Sequence, residues 1–115
     1  MTLSTEDLGD FSDVRADDVA RIIDEDAFGS FVILSQCDEG FIQAANNWSA
    51  DGAGEAFVAR HDSDPWILEY RDAASGTQFQ ATRNVTLIEL RTAFLDYLRG
   101  GFEWRTHFQW TEIDV

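Results

Sequence analysis

The chain has 115 residues, which is the size of a single domain and enough to bury about two-thirds of the surface that its unfolded form exposes. Its 22 acidic residues stand against eight basic residues, all arginine, so its net charge of −14 opposes contact with nucleic acid and with anionic membranes. It has no apolar run of about 18 residues, no secretion signal at its start and only one cysteine, Cys37, so we expect a soluble, cytoplasmic protein.

The first 26 residues carry half of the net charge, because nine acids there outnumber two arginines. We expect residues 1–12 to be frayed. From about Ala16, the spacing of Val19, Ile22 and Ile23 predicts a short helix with one apolar side. The acidic surface of this helix is either a solvated face or a surface for a partner.

Short apolar runs between turn-forming residues predict five strands in the middle of the chain. The first run, SFVILSQ, is almost uninterrupted, which indicates a strand buried on both faces or near the centre of the sheet. Residues 37–40 (CDEG) and 72–76 (DAASG) have the composition of hairpin turns, so the strands that they join should be antiparallel. The predicted strands are residues 30–36, 41–45, 56–60, 66–71 and 77–83.

The longest irregular stretch, residues 46–55 (NNWSADGAGE), contains Trp48. A large aromatic side chain in a polar loop is either a lid over the edge of the core or an exposed anchor for a partner. The sequence leaves both interpretations open.

Residues 84–110 have the clearest pattern. Thr86 and Glu89 form the capping box that begins a helix, and apolar residues then recur at steps of three and four until Gly100 and Gly101 end it. After the glycines the period changes to two, which predicts a final strand over residues 102–110. Its buried face would carry Phe102, Trp104, Phe108 and Trp110, and its wet face Glu103, Arg105, His107 and Gln109.

Together these elements predict a single α+β domain over residues 1–115, in the order α-β-β-β-β-β-α-β, with a mainly antiparallel sheet of five to six strands and two helices on one face. The other face would carry charged and amide side chains. It is either an ordinary wet surface or a binding surface for another protein. With an exposed Trp48, it supplies the candidate partner-binding residues, which are Trp48, Glu69, Arg71, Glu103, Arg105 and His107.

The sequence does not indicate a catalytic or metal site. His61, His107 and Cys37 have no neighbours at a spacing typical of nucleophilic catalysis. Asp62 and Asp64 lack the further acids and the glycine of a calcium loop. We therefore expect no catalytic residues, no metal and no cofactor, and a protein that is not an enzyme.

The order of elements resembles that of the small acidic immunity proteins of bacterial polymorphic toxin and contact-dependent inhibition systems. The resemblance is carried by the hairpin FVILSQCDEGFIQAA, the hairpin WILEYRDAASGTQFQ, and the helix FLDYLRGG with the aromatic strand that ends in FQW. It implies a non-enzymatic module that binds a toxin domain and blocks it, and an acidic surface would suit a basic toxin. It assigns no inhibitory residue.

Two other classes of function fit the sequence. A homodimer or larger assembly would pair the edge or the face of the aromatic strand. A small-molecule site would need a cavity lined by Trp66, Tyr70, Trp104 and Trp110, whose rings are otherwise expected to fill the core.

Overall fold

A computed structural model describes residues 1–37, 40–48 and 52–113 of the chain, and in these ranges it contains seven strands and four helices. The strands are β1 (Thr2–Thr5), β2 (Asp10–Phe11), β3 (Phe31–Cys37), β4 (Gly40–Asn46), β5 (Trp66–Arg71), β6 (Gln78–Ala81) and β7 (Trp110–Ile113). The helices are α1 (Ala16–Glu25), α2 (Ala53–His61), α3 (Leu87–Leu98) and α4 (Glu103–Thr106). None of the described helices is both long enough and apolar enough to cross a membrane.

All seven strands belong to one sheet in the order β2-β1-β3-β4-β5-β6-β7, and each neighbouring pair is antiparallel. The predicted α+β class is therefore confirmed, although the sheet has more strands than predicted. The predicted hairpins β3–β4 and β5–β6 form, with Phe31 opposite Ala45 and Tyr70 opposite Phe79. The turn predicted at residues 37–40 includes residues 38 and 39, which lie outside the described ranges.

One face of the sheet is covered by α1 and α3. Leu3, Leu34, Ile42 and Leu68 project from four neighbouring strands toward these helices and are fully buried. The helices contribute Val19, Ile22, Ile23, Leu90, Ala93 and Phe94 to the same cluster. Burial of this apolar surface holds the two layers together.

The start of α3 confirms the capping box. Thr86 Oγ1 accepts a hydrogen bond from the Glu89 N–H at 3.1 Å, and Glu89 Oε1 accepts one from the Thr86 N–H at 3.0 Å. The same carboxylate accepts hydrogen bonds from both Nη atoms of Arg83, at 3.1 and 2.6 Å. These contacts, with Arg83 first, hold the pKa of Glu89 below its usual range.

Acid should weaken the fold partly through Glu89. Because its pKa is lower in the folded chain than in the unfolded chain, its contribution to stability is present above the unfolded pKa of about 4.3 and is lost as the pH falls through the folded value. We therefore expect Glu89→Gln to be less stable than wild type at neutral pH and to lose stability less steeply in acid. Urea unfolding at neutral pH and at about pH 3 measures both effects. If Glu89→Gln lost stability in acid as steeply as wild type does, the Glu89 carboxylate would not be a source of the acid sensitivity.

The first twelve residues form β1 and β2, so the prediction that they fray is wrong. Leu3 is fully buried and lies opposite Leu34 of β3. Thr5 Oγ1 donates to the Gly9 carbonyl and accepts from the Leu8 N–H, both at 2.9 Å, and so closes the turn between the two strands. The acids that suggested fraying lie mostly in this exposed turn, where the Glu6 carboxylate accepts from the Ser30 N–H at 3.0 Å and from the Ser30 hydroxyl at 2.8 Å.

Residues 56–60, predicted as a strand, belong to α2. Gly52 begins this helix with a φ of 92°, which glycine adopts without strain, and its carbonyl accepts from the Ala56 N–H at 3.0 Å. The Asp62 N–H donates to the Val58 carbonyl at 2.8 Å and closes the helix. A run of five residues is too short for its period to separate strand from helix, and the neighbouring alanines favour the helix.

The strand predicted over residues 102–110 is also wrong, because α4 interrupts it and β7 begins only at Trp110. Asp96 Oδ2 accepts from the Trp104 N–H at 3.0 Å, and the Trp104 indole N–H donates to the Gly101 carbonyl at 3.0 Å. These local bonds turn the chain tightly after α3. The alternation within residues 102–110 does not predict these hydrogen bonds, because Asp96 lies in the preceding helix.

Candidate functional site

The face of the sheet opposite α1 and α3 is a candidate surface for a partner. Residues paired across neighbouring strands share a face, so the strand registers identify its members. On β1 and β2, at one edge of the sheet, this face carries Thr2, Ser4 and Asp10. We define the open face as its β3–β7 part, which consists of Phe31, Ile33 and Ser35 of β3, Phe41, Gln43 and Ala45 of β4, Ile67, Glu69 and Arg71 of β5, Gln78 and Gln80 of β6, and Thr111 and Ile113 of β7. Apart from the buried Gln78, these residues are half-buried or exposed.

Five members of the open face are large apolar residues. Phe31, Ile33, Phe41, Ile67 and Ile113 are each half-buried, and they lie outside the core cluster. On an ordinary solvent-facing sheet, the positions that alternate with the core are polar. Several large apolar side chains left partly exposed on one surface are typical of a protein-binding site.

The open face is almost uncharged, although the whole chain carries a net charge of −14. Glu69 and Arg71 are its two charged members. The Glu69 carboxylate accepts a hydrogen bond from Gln43 Nε2 at 2.9 Å, from the opposite position on β4. An apolar, charge-poor centre inside a charged surface has the composition of an interface core with its rim.

The structure divides the candidate residues that the sequence placed on one sheet face. Glu69 and Arg71 lie on the open face, as predicted. Glu103 and Arg105 lie in α4 and His107 ends it, so the prediction that they extend the same face along a final strand is wrong. Successive residues of a helix turn by about 100°, and their side chains therefore do not alternate between two faces.

Trp48 lies in the segment after β4, and 48% of its surface is exposed. Its N–H donates to Asn46 Oδ1 at 2.8 Å, while Asn46 Nδ2 donates to Asp64 Oδ2 at 3.1 Å. The backbone beside the indole is therefore tied to the segment that precedes β5. Of the two interpretations open to the sequence, this exposure favours the anchor over the lid.

Arg71 and Arg105 line one cleft of about 300 Å³ beside the turn between α3 and α4, which we call the arginine cleft. The guanidinium carbon of Arg105 lies 4.7 Å from the ring centre of Tyr70, 5.0 Å from that of Trp104 and 5.1 Å from that of Phe102. Burial raises the pKa of the Tyr70 hydroxyl and Arg105 partly offsets this. Tyr70 is therefore a neutral partner for the Arg105 cation at neutral pH.

Glu103 and His107 line a different groove, of about 560 Å³, between α3 and α4. Arg91, Asp96 and Arg99 also line it. No group of three histidine, cysteine or acidic residues within the described ranges could hold a metal ion. The prediction that the protein is not an enzyme is not tested by these observations and stays a prediction.

The other residues considered for chemistry lie apart from these surfaces. His61 packs on Phe57 of the same helix, with ring centres 4.4 Å apart. Asp64 lies near enough to Asp26 to add to the rise in the pKa of Asp26 that burial causes. The side chain of Cys37 falls outside the part of the chain that the structure describes.

The rings considered for a small-molecule cavity pack mainly on one another. Trp66 is buried against Phe28, with ring centres 5.2 Å apart. The ring centre of Tyr70 lies 4.7 Å from that of buried Trp104 and 4.7 Å from that of half-buried Trp110. Edge-to-face packing of this kind is typical of a core.

Sequence patterning missed the apolar members of the open face. The run SFVILSQ suggests burial on both faces, whereas Val32 and Leu34 are fully buried and Phe31 and Ile33 are only half-buried. An apolar run does not show which face a helix covers. The sequence analysis predicted only two helices, both on one face of the sheet. That number could have indicated that alternate residues of the SFVILSQ strand stay partly exposed on the other face.

Searches against protein-family models, curated proteins and solved structures found no match for this chain. The resemblance to immunity proteins therefore stays a prediction drawn from the pattern of the sequence.

Proposed function

We propose that this protein is a non-enzymatic protein-binding module that acts in the cytoplasm and binds a basic partner, in the way that an immunity protein neutralises a toxin domain. The observation that carries the proposal is the group of half-buried apolar side chains on the open face. The net charge of −14 supports a basic partner, because complementary charge speeds encounter and disfavours acidic competitors.

The charge and the apolar face would have different roles. Half of the net charge belongs to the first 26 residues, which form β1, β2 and α1. β1 and β2 lie at one edge of the sheet, and α1 lies on its covered face. These acids would steer a basic protein toward the molecule. Burial of Phe31, Ile33, Phe41 and Ile67 would then supply most of the affinity, because water is displaced from apolar surface.

The electrostatic part of the proposal predicts a salt-dependent association rate. The partner class to test is a basic toxin-like domain, sought among the products of neighbouring reading frames. We expect its association rate with this protein to fall by about tenfold or more from low to high salt, because salt screens steering. Stopped-flow mixing measures the rate, and an equal rate at both salt concentrations would contradict this part of the proposal.

The role of the open face is tested by two matched substitutions that add the same charge at different places. We expect Ile33→Asp, on the open face, to weaken binding by about tenfold or more. Ile88→Asp, on α3 where the side chain is 75% exposed, should weaken it by less than about threefold. Circular dichroism and thermal unfolding check that both variants are folded. Equal losses of affinity would place the interface elsewhere.

Self-association is the second candidate function, and the position of β7 favours it. β7 pairs with β6 and ends the order of the sheet, so the described strands leave its other edge unpaired. Two copies could join these edges into a continuous antiparallel sheet. Size-exclusion chromatography over a range of protein concentrations tests this alternative, since a self-associating chain would elute earlier as the concentration rises and without a second protein.

A further inference from the structure

We infer that the arginine cleft is a binding site for a small organic carboxylate. This function is different from protein binding at the open face, although Arg71 belongs to both surfaces. It is carried by two arginines that share one cleft and lack acidic partners among the described residues, with one of them held in place by aromatic rings.

The charge balance makes these arginines unusual. Acidic residues outnumber arginines 22 to 8, yet within the described ranges neither Arg71 nor Arg105 forms an ion pair. Asp72 also lines the cleft, but its Oδ1 accepts from the Ala74 N–H at 3.2 Å and its Oδ2 from Ser75 Oγ at 3.3 Å. The Asp72 carboxylate is thus hydrogen-bonded within its own turn and forms no ion pair with either arginine, and a bound carboxylate would offset part of their positive charge.

The Nε atoms show which part of each guanidinium a ligand would contact. Those of both Arg71 and Arg105 are buried, and neither finds a hydrogen-bond partner in the described part of the chain. Arg91 Nε is also buried without a hydrogen bond of good geometry, but it lies 2.8 Å from Asp24 Oδ1 and so has an ion-pair partner that Arg71 and Arg105 lack. Buried donors are normally satisfied, and leaving one unsatisfied is unfavourable. Because these Nε atoms are buried, a carboxylate in the cleft would instead meet the terminal Nη groups of the two arginines.

The rings prepare Arg105 for such a ligand. The guanidinium contacts Tyr70, Trp104 and Phe102, which restrict the side chain before any ligand arrives. A carboxylate accepts two parallel hydrogen bonds from the N–H edge of a guanidinium. Less conformational entropy is then lost on binding.

The size and surroundings of the cleft define the class of ligand. A volume of about 300 Å³ is at the small end of ligand sites. Phe102 is 66% exposed at the cleft and would contact the hydrocarbon part of a ligand. The net charge of −14 repels a phosphate dianion more strongly than a carboxylate monoanion. These features favour a small carboxylate with an apolar group.

Nuclear magnetic resonance of the arginine Nε–H groups tests the proposal with benzoate as the probe. We expect benzoate to produce saturable shifts of the Arg71 and Arg105 signals, at constant ionic strength. Arg71→Gln and Arg105→Gln should each weaken benzoate binding by about tenfold or more, because each removes a charge-assisted contact. Arg60→Gln changes the net charge equally at an exposed position of α2 and should alter the affinity by less than about twofold.

The controls separate a built site from general attraction between charges. Benzamide has the shape of benzoate without its charge and should bind about tenfold more weakly or not at all. Because Arg105→Gln also removes ring contacts, thermal unfolding checks its fold, and Arg71→Gln tests the site without that change. The Ile33→Asp variant of the open face should bind benzoate as wild type does.

Four results would overturn the assignment. They are the absence of a saturable shift with benzoate, equal binding of benzamide, an equal loss of affinity in Arg60→Gln, and tighter binding of phosphate than of benzoate at the same two signals. None of these results bears on partner binding at the open face, so the two proposals can fail separately.

Discussion

Replacing Trp66 by alanine is expected to lower the free energy of unfolding by about 3–5 kcal/mol. Trp66 is 2% exposed, its ring packs on Phe28, and its backbone N–H and carbonyl pair with those of Val85 at 3.0 and 2.9 Å. The smaller side chain would leave a cavity beside Phe28, because the paired backbone prevents the chain from closing over it. Urea unfolding measures the loss.

Trp48 provides the matched control for this substitution. The two tryptophans differ in burial, since Trp48 is 48% exposed in the segment after β4. We expect Trp48→Ala to change the free energy of unfolding by no more than about 0.5 kcal/mol, as is usual for surface positions. A loss as large as that of Trp66→Ala would mean that Trp48 covers the core, as the lid interpretation holds.

Trp104→Ala is the second substitution with a large expected effect, also about 3–5 kcal/mol. The ring is 2% exposed and lies edge-on to Tyr70, Tyr97 and Trp110, while its indole N–H is bonded to the Gly101 carbonyl. Alanine would remove this burial, the ring contacts and the hydrogen bond together. Unfolding by denaturant again measures the change.

Phe102→Ala is the comparison that separates a helical turn from the predicted strand. In a strand, Phe102 and Trp104 would point to the same buried face, and their substitutions would have similar costs. In the structure Phe102 is 66% exposed, so we expect a loss of less than about 1 kcal/mol. Similar losses for the two variants would support the strand.

The elements predicted correctly from sequence depend on residues close together in the chain. The capping box joins Thr86 to Glu89, the apolar side of α1 repeats within one helix, and the turn at residues 72–76 joins two adjacent strands. Such interactions are satisfied locally. Residues 56–60 form a local element too, but their run is too short for its period to be decisive.

The prediction for residues 102–110 failed because a longer-range contact competed with the local pattern. Alternating aromatic residues fit a strand, and in isolation nothing in their order opposes one. The Asp96 carboxylate accepts a hydrogen bond from the Trp104 N–H, and the rings of Tyr70 and Trp110 pack edge-to-face against the Trp104 ring. Their combined burial and hydrogen bonding outweigh a weak β-propensity.

The candidate sites also divide into residues that local sequence predicts and residues that only distant contacts bring together. From the sequence, Glu69 and Arg71 could be assigned to the outward side of their strand, because alternation alone settles that question. The arginine cleft could not be found, since Arg71 and Arg105 are 34 positions apart in the sequence and meet only when α4 folds beside the end of the sheet.

The sequence by itself determined the acidity of this protein, its α+β class, the hairpins β3–β4 and β5–β6 and the helices α1 and α3, because composition, period and turn chemistry act over a few residues. The tertiary structure alone decided which face of the sheet is covered, which tryptophans are buried and which two arginines share a cleft. Those properties depend on how distant segments pack against one another. Packing replaces contacts with water by contacts between segments, and the sequence of one segment alone does not specify them.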